Sequence, residues 1–289
     1  MLVVDTLSRE AKIARFSRIC ESAMKERRTQ GEQGIGTLAE KWQHQIIKRY
    51  LSEDPTDHEI RVCDERRFVS DVRVGNDAYE VQTGDFAPMA KKIAYYLEST
   101  DLTVTVIHPI PKDRWVSWVD PTTAEISPRR RSPRHGKASD ILPRLYPLIP
   151  MLPNARLKFR VLLLETHDFI LLSERKKNPH RGGERYERIP ISLIEDIPLE
   201  SPLDFEQFLP QSLPSPFTVK DFSKATKLLG RDAYSAVRVL AALGLVEPTE
   251  KVGRSMAFTI KTEKKYADGD LMSADRRIFV FNFRTNRTQ

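Results

Sequence analysis

Two carboxylates and an amide stand close together in the segment FVSDVRVGNDAYEVQT: Asp71, Glu80 and Gln82. Gly75-Asn76 has the composition of a two-residue hairpin turn, and alternating apolar and polar residues flank it on both sides. With that turn, Val74 faces Asp77, Arg73 faces Ala78, Val72 faces Tyr79 and Asp71 faces Glu80. Opposed residues in an antiparallel pair have Cβ atoms about 5 Å apart, so the two carboxylates share one spot on one face. Gln82, two residues beyond Glu80, shares that face. Val72, Val74, Tyr79 and Val81 form the other face, which reads as the core side. Opposed like charges destabilise a sheet unless something offsets them. A divalent cation does so, since Mg²⁺ takes carboxylate oxygens together with substrate phosphate. Arg73 is the alternative counter-charge, and a one-residue slip of the register would undo the pairing.

The elements that must hold these groups follow from periodicity. Residues 7–30 read as a charged helix that Ser8 caps, with Ile13, Phe16, Ile19 and Met24 on one stripe. GEQGIG breaks the chain, and Thr37 starts a second helix to about Leu51. HEIRVCD is a strand, the hairpin follows, FAPMAKKIAYYLES is a helix, and DLTVTVIHPI is a buried strand. Lys91 and Lys92 on that helix read as a solvated face, with a charge supplied to the acidic site as the other reading. This order is an α/β plan of sheet and helices in layers. Beyond it, WVSWVDPTTAEIS suggests a strand and a turn at Asp120-Pro121, and FRVLLLE and FILLSE suggest two more strands. ILPRLYPLIPMLP holds four prolines and cannot be one regular α-helix. Residues 198–217 read as a proline-rich linker around a short helix.

The succession from helix to Asp-bearing strand to Glu-x-Gln strand to helix to strand resembles the PD-(D/E)XK nuclease superfamily, from about Gly34 to Pro111. The resemblance implies a restriction-endonuclease-like α/β core, a mixed sheet flanked by helices. It implies that Asp71 and Glu80 hold Mg²⁺ or Mn²⁺, and that Glu40, on the preceding helix, joins them and orients a water. The last motif residue of that family is usually Lys. Here it is Gln82, which carries no positive charge and is left to hold the nucleophile or a phosphate oxygen by hydrogen bonds. His44, four residues after Glu40, shares its helix face and reads as a packing or exposed histidine rather than a member of the site.

The segment from Pro216 to Lys261 looks like a winged helix-turn-helix. Thr218 caps a first helix that Gly230 closes, and Arg231–Leu243 is the recognition helix, with Ala233, Val237, Leu240 and Leu243 as its core face. Arg231, Tyr234 and Arg238 lie elsewhere on its circumference and are expected to meet DNA, with Lys251 and Arg254 at the wing tip on phosphates. Winged helices also serve as protein-binding modules. The expected units are an N-terminal helix (1–33), the nuclease-like core (34–111), an α/β extension with basic loops (112–200), the winged helix (201–262) and a tail with one strand, RRIFVFNF (263–289).

Composition agrees with a polyanion partner. The chain has 289 residues and a formal net charge of +7, concentrated in SPRRRSPRHGK and ERKKNPHRGGERYER. Either segment is a phosphate-binding arm or a solvated surface loop. Two cysteines make neither a zinc pattern nor a disulfide framework, no signal sequence is visible, and no apolar run spans a membrane. A cytoplasmic protein with no membrane contact is expected, acting alone, as a homodimer or within a larger complex. The sequence thus predicts a Mg²⁺- or Mn²⁺-dependent DNA endonuclease. The rival is a catalytically inactive nuclease-fold protein that binds DNA or serves as an adaptor.

Overall fold

β-Branched and apolar residues concentrate in the stretches that become strands, and these assemble into one mixed sheet. The structure is a computed structural model that describes residues 3–29, 39–63, 68–172 and 183–261. Its elements are α1 (Arg9–Thr29), α2 (Ala39–Leu51), β1 (His58–Cys63), β2 (Phe68–Val74), β3 (Asp77–Val81), α3 (Ala90–Ser99), β4 (Thr103–Val119), β5 (Arg130–Arg131), β6 (Leu157–Leu171), β7 (Arg185–Leu199), β8 (Phe217–Thr218), α4 (Val219–Thr226), α5 (Gly230–Ala242), β9 (Val246–Val252) and β10 (Ser255–Ile260). The main sheet runs β1-β2-β3-β4-β6-β7, with β5 paired to the far part of β4. β3, β4 and β6 are parallel, and the outer pairs are antiparallel. No helix among the described residues is long and apolar enough to cross a membrane.

Both faces of the sheet are covered. Phe16 and Ile19 of α1 and Ile46, Ile47 and Tyr50 of α2 pack on Val72, Tyr79, Val81 and Leu162. On the other side Ile93 and Tyr96 of α3 pack with Ala78, Val104, Val106 and Phe159, joined by Leu142 and Leu145 of a 3-10 helix over Ala138–Met151. Three prolines inside that segment remove the donors an α-helix needs, and the chain takes the tighter winding instead. Pro109 and Pro111 sit within β4, where a central strand would not tolerate them. Ile107 accepts the last bond from the β3 side, from the Gln82 N–H, so the nitrogens of Pro109 and Pro111 face the gap that β3 leaves.

Several expectations change. FRVLLLE and the Phe169–Leu171 start of FILLSE are one continuous strand, β6, because the polar Thr166 and Asp168 between them are buried and paired. The boundary expected at 111/112 falls inside β4, and 112–200 supplies strands of the same sheet. β7 carries prolines and many charges, which an edge strand accepts. α4 ends at Thr226 rather than at Gly230, because Lys227 takes the left-handed conformation at φ 65°. Gly230, at φ 48°, opens α5 instead. The tail strand RRIFVFNF and most of RKKNPHRGG lie outside the described residues.

The C-terminal unit is α4, α5 and a three-stranded antiparallel sheet, β8-β10-β9. Thr218 caps α4 in a reciprocal box with Asp221, and Gly244 closes α5 at φ 79°. Ala236 and Val239 of α5 join the same core cluster as the 3-10 helix, so the unit is seated on the sheet domain.

A buried polar knot ties α1, α2, β6 and β7. Asp196 accepts from Tyr50 Oη at 2.8 Å, lies 3.2 Å from Lys12 Nζ and 3.4 Å from Arg160 Nε, and Arg160 also pairs with Asp5. The Asp196 and Arg160 side chains are only 2% and 6% exposed. Removing one member of such a set strands the others in low dielectric, so Asp196→Ala is expected to lower the free energy of unfolding by about 3 kcal/mol. Chemical denaturation measures this, and a loss under about 1 kcal/mol would show that the knot is not under electrostatic stress.

Candidate active site

The hairpin forms in the expected register, with Val72 opposite Tyr79, Arg73 opposite Ala78 and Val74 opposite Asp77. The ladder stops there, one pair short of Asp71 and Glu80. The Asp71 side chain takes over, its Oδ2 accepting the Val81 N–H at 2.7 Å. Ser70 Oγ bonds the Val72 carbonyl at 2.8 Å in the same gap. The two strands therefore part where the acidic groups stand. His44 of α2 reaches into the opening, its Nε2 lying 3.0 Å from the Val81 carbonyl and 3.2 Å from Asp71 Oδ2. A carbonyl only accepts, so Nε2 carries the proton. Burial alone would push Asp71 up, but the His44 bond and charge, the Val81 N–H and Lys92 outweigh it and hold its carboxyl below the usual range. Burial would likewise push His44 down, yet Asp71 and the Val81 carbonyl leave it above its ordinary value.

Glu80 is 3% exposed, beneath α3. Lys92 Nζ donates to its Oε2 at 2.5 Å and lies 5.8 Å from the centre of the Tyr96 ring. Lys91 is exposed. Of the two lysines, then, α3 turns Lys92 inward to the acidic pair and leaves Lys91 in solvent. Burial is the main influence on Glu80 and Asp71 adds to it; together they outweigh Lys92 and push the carboxyl up to about 7. The Tyr96 hydroxyl is close enough to act on Glu80, but neither it nor Glu80 Oε1 makes a hydrogen bond of good geometry among the described residues.

Gln82 is turned away from this pair. Its side-chain amide donates to the Asp85 carbonyl, and its backbone carbonyl accepts from His108 Nδ1 at 2.6 Å. Burial pushes His108 down to about 4, so it is neutral, and its ring stacks edge-on against Phe86 at 5.1 Å. Glu40 lies on α2, but its side chain is outside the described residues. Among the described residues no three His, Cys, Asp or Glu side chains converge to hold a metal ion. Asp71 and Glu80 supply two hard oxygen donors, and the buried, unbonded Glu80 Oε1 is an atom that a cation would satisfy. On that count the donor set fits Mg²⁺ or Mn²⁺.

The C-terminal residues singled out in the sequence stay on the surface. Arg231, Arg238, Lys251 and Arg254 are exposed, and Tyr234 is 47% exposed with its ring 6.5 Å from that of Tyr146. Arg231 also lines a cleft of about 550 Å³ with Arg144 and Asp140 of the 3-10 helix and with Asp85. His108, Tyr96 and Arg144 were not singled out by sequence reasoning. No spacing marks them, because each arrives from a different element.

A family described as a domain of unknown function, DUF8091, matches residues 41–200, more than half of the chain. The chain belongs to this family. The match begins in α2 and ends just past β7, and so takes in the whole main sheet while leaving out α4, α5 and the small sheet. Neither the curated proteins nor the solved structures offer a match.

The titrations set the pH dependence of stability. Glu80 rises from an ordinary 4.5 to about 7, so between those values the folded chain holds a proton that the unfolded chain has released. Its stabilising contribution is complete below pH 4.5 and is lost as pH rises through 7. His44, also raised, loses its contribution in the same direction above 6.5. Asp71, lowered, matters only as pH falls below 3.8. The midpoint of thermal unfolding is therefore expected to fall from pH 5 to pH 8, by an amount worth roughly 2 kcal/mol. Glu80→Gln should flatten that slope, and an unchanged slope would remove Glu80 as its source.

Proposed function

We propose that this chain hydrolyses phosphodiester bonds in DNA with the help of Mg²⁺ or Mn²⁺, on a restriction-endonuclease-like core resembling the PD-(D/E)XK superfamily. The observation that carries the reading is Lys92 on Glu80 beside Asp71. The motif lacks its lysine at Gln82, and α3 brings an ammonium to the same carboxylate from the next element. Asp71 and Glu80 would hold the metal, and Glu40 would orient a water from α2. When bound, such a metal lowers the pKa of a coordinated water and neutralises charge on the phosphate. The chain's own groups do the rest. Lys92, half-buried on α3, would answer the charge that develops on a phosphate oxygen. His44 steadies the Asp71 carboxylate against the strand end. Gln82 braces the loop through Asp85, which takes it out of the nucleophile-holding role expected of it.

We also read α4, α5 and the β9–β10 hairpin as a winged helix that delivers the core to DNA. Arg231, Tyr234 and Arg238 would meet the groove, and Lys251 and Arg254 at the wing tip would meet phosphates. The capping of α4, the exposed basic side of α5 and the Gly253 turn of the wing support this. The second reading, an inactive nuclease-fold protein that binds DNA or serves as an adaptor, draws on His44, which already neutralises Asp71, and on the amide of Gln82 turned into its own loop.

A cleavage panel with Mn²⁺, over single-stranded, double-stranded and branched DNA and RNA, separates the two. Cleavage by the parent is expected, with losses of at least about 100-fold in Asp71→Asn, Glu80→Gln and Lys92→Met. Absence of cleavage on every substrate, or full activity in those variants, leaves the inactive reading. Arg231→Ala with Arg238→Ala should weaken duplex binding about tenfold, and unchanged affinity would place the DNA contact elsewhere.

A further inference from the structure

The long strands β4, β6 and β7 run well past the acidic pair, and their far ends carry charge that the nuclease reading does not use. His167 and Ile189 line a cavity with Cys20 and Met24 of α1, so they face that helix. Asp168 and Arg188, paired across the ladder, are the next residues in β6 and β7, and Arg114 sits opposite Thr166. By alternation, these groups stand on the side of the sheet turned away from α1. There Arg188 closes a fork on Asp168, with Nε to Oδ1 at 2.7 Å and Nη2 to Oδ2 at 2.5 Å, and Thr166 Oγ1 adds a third bond at 3.3 Å.

That arrangement leaves Arg114 Nε without an acceptor among the described residues. It is a same-face diagonal neighbour of Asp168, whose oxygens are already taken. Its Nε is buried and has no hydrogen-bond partner among the described residues. The charges that act on it most are those of Arg188, Asp168, Arg134 and Arg185, three of them positive. Arg134 is exposed on the loop that the Ser132 N–H pins to the Arg114 carbonyl at 2.8 Å. A half-buried guanidinium with an idle donor, inside an excess of positive charge, is short of an anion. A phosphate diester fits, since its oxygens match the planar fork and its charge offsets the repulsion.

We propose that Arg114 and Arg134 form a second contact for the phosphate backbone of duplex DNA, with Arg188 and Asp168 positioning Arg114 from below. The contact rests on the reading of this chain as DNA-directed. It lies on the sheet itself, outside the proposed winged helix and the acidic pair. Being a phosphate contact, it adds affinity and salt dependence but no sequence preference.

The test is duplex binding by fluorescence anisotropy over a range of salt, with the full chain carrying Asp71→Asn so that cleavage does not intrude. Arg114→Gln with Arg134→Gln is expected to weaken binding about tenfold and to reduce the salt slope by about 1–2. Arg9→Gln on α1, which removes one charge from the other layer as Arg134→Gln does from this one, should change neither. Arg134→Gln alone, on an exposed loop where folding is not at stake, should show a several-fold loss and a slope lowered by about 1. Affinity and slope equal to those of Arg9→Gln would overturn the contact. If binding survives both arginine changes and disappears on Arg231→Ala with Arg238→Ala, this inference alone fails. If no duplex is bound at any salt, the DNA-directed reading fails with it. Inorganic phosphate at matched ionic strength should not displace the duplex; displacement that depends on Arg114 would mark a small-anion site and overturn the proposal.

Discussion

Burying Glu80 is the constraint around which the site end of the sheet is arranged. A carboxylate 3% exposed between a sheet and a helix is costly unless its charge is answered. The answer comes from α3, whose Lys92 is positioned only because Ile93 and Tyr96 of the same helix lock it onto Ala78, Val104 and Val106. The rest of the cost shows in the raised pKa of Glu80 and in its Oε1, which makes no hydrogen bond of good geometry among the described residues. Packing and chemistry are therefore one problem here. The apolar contacts that seat α3 also fix the ammonium, and the ammonium is what lets α3 close over the acid.

The same economy governs the strand ends. β2 and β3 separate after Val72 and Tyr79, and a side chain, Asp71, replaces the missing backbone acceptor for Val81. The separation makes room for His44 from the opposite layer, so α2 and α3 converge on one gap although they cover different faces. Beyond Gln82 β3 ends, which frees the side of β4 on which Pro109 and Pro111 lie. A strand that would otherwise be central becomes half an edge, and can carry prolines at no cost in ladder bonds.

What was legible in the sequence was local. The hairpin register followed from Gly75-Asn76 and from period-two alternation, both of which operate within a dozen residues. The caps at Thr218 and Gly244 were readable for the same reason. Lys92 was not, because Lys91 and Lys92 are adjacent in sequence, and only the packing angle of α3 decides which faces the sheet. β7 hid behind its prolines and charges, since an edge strand need not satisfy the apolar pattern of a central one. β6 was split in two because Thr166 and Asp168 look like a surface interruption until Arg188 arrives from another strand to pair with Asp168. The early end of α4 was also invisible, because a left-handed Lys227 carries no sequence signal of the kind a glycine gives.

The loop after β3 joins the acidic pair to the C-terminal unit. Gln82 holds this loop at two points, its side-chain amide on the Asp85 carbonyl and its backbone carbonyl on His108 Nδ1. Asp85 in turn lines the cleft that Arg231 of α5 and Arg144 of the 3-10 helix also line. A lysine at 82 would keep both the backbone carbonyl that His108 bonds and a donor for Asp85, so neither bond by itself explains why glutamine stands where the resembled nuclease motif has lysine. The positive charge is placed at Lys92 instead, on the far side of Glu80, where a carboxylate is present to receive it.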